Sequence, residues 1–230
     1  MKQRHRRKKT IQKFLIYATH LGAILPILIY TVLFFNGNLG IDPVRESILK
    51  TGKTALILLL ITLAITPMIT FAKLSILQPL RRLFGLYTFG YAGVHLLLFL
   101  GLDYGFNPGM IWEALFEKRY AVIGLTAFLL MIPLVITSSN KWIKRLGKNW
   151  KRLHKLVYLV GVLVIVHFIW LTKQGVLEPW YFGLVLAALL ILRVPPVKHL
   201  LQTIRRKSFQ RNRDINIDPK PEVRAQTETQ

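Results

Sequence analysis

Apolar residues fall along this chain in long runs, separated by short connections rich in Gly, Pro, Asn or charge. The runs cover positions 13–35, 53–72, 83–102, 120–138, 153–172 and 179–195. Most hold about 20 residues, the length an α-helix needs to cross the hydrocarbon core of a bilayer. Asn36-Gly37-Asn38, the stretch from Asp103 to Asn107-Pro108-Gly109, and Ser138-Ser139-Asn140 mark breaks between them. The short link from Thr172 to Pro179 makes the last two runs an antiparallel hairpin. This pattern predicts an all-α polytopic membrane protein, a bundle of six transmembrane helices. Pro26, Pro67 and Pro133 fall inside spans and are expected to bend them. No internal repeat is visible at this level.

Charge placement orients the bundle. The formal net charge of +22 would suggest nucleic-acid binding in a soluble protein, but here the charge lies between apolar runs. Arg45, Lys50, Lys53, Lys118, Arg119 and Lys173 are the Lys and Arg residues of the three connections on one side. The rest of the 32 lie on the other side, with both termini. The positive-inside rule then predicts cytoplasmic N- and C-termini. Residues 1–12 read as a basic cytoplasmic N-terminus, 13–198 as the transmembrane domain, and 199–230 as a basic, polar, disordered tail. The first run is too long for a cleaved signal sequence and no A-x-A site follows it.

Of 230 residues 53% are hydrophobic, the mean hydropathy is positive and there is no cysteine. Disulfides, thiolate zinc sites, iron–sulfur clusters and covalently attached haem are thereby excluded. No dinucleotide fingerprint or P-loop occurs, and the connections are too short for a catalytic domain. Any metal or haem must be held by His, Met or oxygen.

Histidine placement is therefore informative. His5 and His199 lie in basic, solvated segments. His20, His95, His154 and His167 lie within or at the ends of spans, where ionisable side chains are costly and invite a functional reading. His95 and His167 fall at matching depths in the third and fifth runs, toward the non-cytoplasmic side. Two imidazoles facing each other across a bundle are what axial haem ligation requires. Gly85, Gly90, Gly93 and Gly161 are candidates for letting the macrocycle approach. The competing reading is that each histidine only hydrogen-bonds a neighbouring helix. His154 lies roughly 20 Å nearer the cytoplasm than His167 if one helix carries both. Such a helix turns about 220° between them, so they would not share a face. Arg81 is level with His154, and Arg81 or Arg82 is a candidate for haem propionates or a phosphate group. A positive-inside anchor is the equal alternative.

Together these residues resemble the ferric-reductase-like transmembrane family. The resemblance runs from about Leu21 to Arg193. It is carried by Leu39-Gly40-Ile41-Asp42-Pro43-Val44, Thr51-Gly52-Lys53-Thr54-Ala55-Leu56 and Arg81-Arg82-Leu83-Phe84-Gly85-Leu86. Trp150-Lys151-Arg152-Leu153-His154-Lys155-Leu156-Val157-Tyr158-Leu159 and His167-Phe168-Ile169-Trp170 complete it. Within the family the pattern is similar to the haem-binding membrane subunits that serve periplasmic methionine sulfoxide reductases. The resemblance implies b-type haem with His95, His154 and His167 as candidate iron ligands, and FMN as a second cofactor. It implies electrons arriving from the quinone pool or a cytosolic flavin reductase. Their destination would be a molybdopterin-containing periplasmic reductase that repairs oxidised methionine. Larger members carry two histidines on the third helix, whereas this chain has His95 alone. Two alternatives remain open: a quinol-linked cytochrome b subunit of another reductase or dehydrogenase, and a non-redox transporter or scaffold.

Overall fold

The computed structural model describes residues 2–173, 175–194 and Thr203. Among them the secondary structure is helical, without a strand. The first helix, α1, runs Lys2–Phe35, so the basic N-terminus is wound into the same helix as the first apolar run. Lys, Arg and Gln are good helix formers, and nothing in 2–12 stops the helix. α2 spans Pro43–Ala72 and begins well before the expected position 53. Its start is set by a cap. The Asp42 side chain accepts from the Arg45 N–H at 3.0 Å, Pro43 opens the first turn, and Glu46 sits where the helix dipole favours an anion. Hydropathy marks where lipid begins, whereas capping marks where the helix begins.

A 3₁₀ turn at Ser75–Leu77 leads into α3, Gln78–Leu98, which ends in a π turn at Phe99–Asp103. α4, Pro108–Glu117, was expected as a connection; its N-cap Asn107 accepts from the N–H groups of Gly109 and Met110. α5 covers Arg119–Ile136. Two short helices follow, α6 Asn140–Leu146 and α7 Lys148–Leu153, hinged at Gly147 with φ +51°. A side chain at that φ would be strained, so glycine is required there. α8 runs Leu156–Leu171 and α9 Glu178–Ile191.

Five helical stretches are long and apolar enough to cross a membrane: Arg6–Phe35, Pro43–Ala72, Ser75–Asp103, Arg119–Ile136 and Lys148–Leu171. The chain is thus a multi-pass membrane protein. The last expected span appears as the shorter apolar helix Glu178–Ile191. Its 14 residues rise only about 21 Å. Position 195, His199 and the tail lie outside the described residues, apart from Thr203, as does the side chain of His5. The fold comprises one compact unit, Met1–Leu189, and a second that starts at Leu190.

Within the first unit, α2 packs most extensively on α3, and α5 on α8. α3 also touches α5, and α8 touches α2, closing a ring of four helices with α1 against α2 and α3. α2 supplies much of the interior through Leu56, Leu58, Leu59, Leu60, Leu63 and Ile65, while α8 contributes Val160. Many large apolar side chains of α1, including Phe14, Leu21, Leu28 and Phe35, are exposed, as a lipid-facing surface would be. Threonine hydroxyls along α2, α3 and α5 donate to the carbonyl one turn back, leaving no polar group bare to lipid at Thr54, Thr62, Thr88 or Thr126.

α1 is fastened to α3 by side chains. Tyr91 is buried, and its hydroxyl donates to the Ala23 carbonyl at 2.6 Å while accepting from the Ile27 N–H at 3.1 Å. These are the two backbone groups of one helical turn, beside Pro26, whose ring has no N–H to offer. One turn away His20 Nδ1 and the Tyr87 hydroxyl share a 2.7 Å hydrogen bond. At the far end of the bundle the connections are tied as well. Lys53 of α2 pairs with Glu178 of α9, and Lys118 donates to the Tyr104 hydroxyl, which raises the lysine pKa above its ordinary value.

Replacing Tyr91 by Phe removes both bridging bonds and is expected to cost about 1–2 kcal/mol of stability. Unfolding in mixed-detergent titrations reads this loss. The exposed Tyr17, changed to Phe, should leave the curve in place.

Candidate functional site

The four-helix ring brings His95 and His167 together. His95 lies in the last turn of α3 and His167 in the last two turns of α8. Their ring centroids are 6.2 Å apart and the ring planes cross at 88°. Each ring is held the same way. His95 Nδ1 lies 2.8 Å from the Ile48 carbonyl on α2, and His167 Nδ1 lies 2.7 Å from the Tyr120 carbonyl on α5. A carbonyl only accepts, so each Nδ1 carries the proton and each Nε2 presents a lone pair. Among the described residues neither Nε2 has a hydrogen-bond partner.

The geometry fits an iron between the rings. A metal–imidazole bond is about 2 Å, and with roughly 1.1 Å from ring centre to nitrogen two collinear ligands place their centroids about 6.3 Å apart. The observed separation is 6.2 Å. A hydrogen bond from the other ring nitrogen to a backbone carbonyl is the usual companion of a metal-ligating histidine. The reading in which each histidine only bonds a neighbouring helix accounts for Nδ1 and leaves Nε2 unexplained.

Two glycines make the arrangement possible. A Cβ on Gly52 would meet His95 Nδ1 at 2.9 Å, and one on Gly124 would meet His167 Nδ1 at 2.7 Å. Each glycine lies one helical turn after the carbonyl that its histidine bonds. The sequence separation of histidine from carbonyl is 47 in both cases. Both glycines also open the same motif, Gly52-Lys53-Thr54-Ala55 and Gly124-Leu125-Thr126-Ala127. A local correspondence therefore links the two histidine seats, one on α2–α3 and the other on α5–α8. The recurrent Gly-x-Thr-Ala and the equal distance to histidine were its signal. Lipid-compatible residues at most other positions drown it.

The glycines expected to admit a macrocycle differ in role. Gly90 has open space and Gly93 faces Phe128 at 3.8 Å. Gly85 rests near Thr62, and Gly161 is a packing contact, 3.1 Å from Leu186.

His154 lies elsewhere. It occupies the C-cap of α7, in a turn that breaks the chain before α8. The turn interrupts the Lys148–Leu171 stretch that carries both His154 and His167, while His154 itself keeps helical φ and ψ of −69° and −6°. The His154 ring stacks on Trp150 with centroids 4.1 Å apart, and its Nε2 is 3.0 Å from the Thr137 hydroxyl. That hydroxyl donates to the Pro133 carbonyl at 2.6 Å, so it accepts from His154 Nε2–H. Trp150 in turn donates its indole N–H to the Thr137 carbonyl. Arg81 is near enough for its charge to act on the His154 ring, while Arg82 is exposed beside it. His20 belongs to neither cluster; its partner is Tyr87.

Residues 51–165 match the family described as ferric reductase like transmembrane component. A protein-methionine-sulfoxide reductase heme-binding subunit MsrQ from Xanthomonas campestris pv. campestris (strain B100) is 43% identical over 183 residues, covering 77% of this chain and 84% of that protein. The MsrQ of Caulobacter vibrioides is 35% identical over 194 residues, covering 84% and 92% respectively. No solved structure matches.

Substituting Ala for either His95 or His167 is expected to remove most of the Soret absorbance from protein purified in detergent. Wild-type absorbance in both single variants would exclude the pair as ligands.

Proposed function

This chain belongs to the ferric-reductase-like transmembrane family, among the MsrQ haem-binding subunits, and from that membership we propose that it is the membrane electron relay of a protein-methionine-sulfoxide reductase system. One observation carries the reading: the crossed His95–His167 pair, with ring centroids 6.2 Å apart and both Nδ1 atoms tied to backbone carbonyls. A b-type haem held by these two side chains supplies one-electron exchange between ferric and ferrous iron. The protein's part is positional. The carbonyls of Ile48 and Tyr120 fix tautomer and ring orientation.

His154, with Trp150 stacked on it and Arg81 nearby, is the second redox position, at the basic end of the same bundle. Two positions divide the crossing into shorter steps. Arg81 and Arg82 offer guanidinium groups to propionates or to a flavin phosphate. The charge asymmetry supports six crossings, completed by α9, with both termini and the basic end in the cytoplasm of a bacterial inner membrane. Lys141, Lys144, Arg145 and Lys148 on and beside α6 give that face the charge to attract an anionic flavoprotein or FMN. Electrons would enter there, from the quinone pool or a cytosolic flavin reductase. They would leave at the His95–His167 end, for a molybdopterin-containing periplasmic reductase that restores methionine.

Two experiments test the relay. In sealed right-side-out vesicles, a reductant confined inside should reduce an added periplasmic methionine sulfoxide reductase only when this protein is present; equal reduction without it rules the role out. His154→Ala should lower the haem or flavin count and slow electron entry from the basic side. Unchanged stoichiometry with unchanged entry would remove His154 from the path.

A further inference from the structure

We propose that Gly52 and Gly124 are paired positioning residues that hold the imidazoles of His95 and His167 crossed at a right angle on the iron. The proposal rests on the reading that these two histidines ligate a haem, and goes beyond it to what sets the electronic state of that haem.

Each imidazole lies flat enough against a neighbouring helix to reach a backbone carbonyl with Nδ1, at 2.8 Å for His95 and 2.7 Å for His167. Helix backbones are normally screened by their own side chains, and each histidine reaches a carbonyl near the start of its neighbouring helix, Ile48 of α2 or Tyr120 of α5, across a gap where a Cβ is missing. Gly52 and Gly124 provide that gap. A Cβ at Gly52 would stand 2.9 Å from Nδ1 and 3.0 Å from Cε1 of His95. At Gly124 the corresponding distances to His167 are 2.7 and 2.8 Å. The atoms in the way belong to a ring anchored at both ends, by its own Cβ and by the carbonyl bond. The ring can yield only by leaving the carbonyl.

The two matched seats set the angle. Because α2–α3 and α5–α8 present the same glycine, the same carbonyl one turn earlier and the same separation of 47, each ring orientation is fixed by its own helix pair. Neither ring is free to follow the other, and the two planes meet at 88°. Crossed axial planes leave the iron d orbitals that overlap the imidazole π systems nearly equal in energy. Low-spin ferric iron in that state gives an electron paramagnetic resonance spectrum dominated by one very large g value. Parallel planes separate those orbitals and give three resolved g values. The Nδ1–H bonds to carbonyls also make both imidazoles stronger donors, which favours the ferric state.

The test uses the intact protein purified in detergent with its haem. The wild-type ferric spectrum should show the single large-g signal; a resolved three-g spectrum overturns the crossed geometry. Gly52→Ala and Gly124→Ala should each move that signal to lower g and shift the midpoint potential upward, to a similar degree. Gly22→Ala, on the exposed face of α1 where a Cβ meets nothing within 4 Å, should leave spectrum and potential unchanged. Loss of haem from Gly52→Ala or Gly124→Ala while Gly22→Ala retains it is the stronger form of the expected result. Loss from all three overturns a specific seat. Wild-type spectra and potentials in both seat variants overturn the proposal, while haem loss in His95→Ala and His167→Ala shows that the ligand reading still stands. Full haem in those two histidine variants is instead the failure of the underlying reading.

Discussion

Each histidine of the pair gives one N–H to a helix carbonyl, and much of the architecture follows from making that bond possible. The donor must reach a carbonyl in the opening turns of its neighbouring helix, so the residue one turn later is glycine. The acceptor helix must lie close, so α2 packs on α3 and α5 on α8 more tightly than any other pairs. Once Nδ1 is committed, Nε2 is the only nitrogen left for chemistry. A neutral imidazole tethered in this way also escapes much of the cost of placing an ionisable group in lipid. The same bond satisfies a polar atom and prepares a ligand.

The inner cluster obeys a different logic. There the histidine uses Nε2, not Nδ1, for its hydrogen bond, and the acceptor is a hydroxyl. The indole of Trp150 covers one face of the ring, at the turn that interrupts the helical stretch before α8. The two ends of the bundle thus hold histidines in distinct electrostatic settings, one apolar and neutral, the other beside a guanidinium.

Most of this was legible in sequence at the level of runs and depth. Long apolar stretches located the membrane helices, and matched depth singled out His95 and His167 before any contact was known. What escaped was backbone-scale detail. The start of α2 was misplaced because hydropathy was weighed above Asp42-Pro43, and α4 and α6 were missed although Asn107-Pro108 and Ser139 are capping signals. The break at His154 carries no Gly or Pro, so local composition does not announce it. Gly52 and Gly124 were hidden for another reason. Glycine is common in membrane helices, and only the contact with a ring distinguishes a seat from a packing point such as Gly161.

The bridge made by Tyr91 has a mechanical consequence. Its hydroxyl is stitched into a single turn of α1, accepting from one residue and donating to another. Sliding or rotating α1 past α3 would strand an N–H and a carbonyl in a medium with no water to replace the lost partner. α1 therefore acts as a strut, fixed in register, and not as a gate. A protein that moves solutes needs helices that can trade partners between two states, whereas one that conducts electrons needs distances that do not change. This chain is braced for the second task.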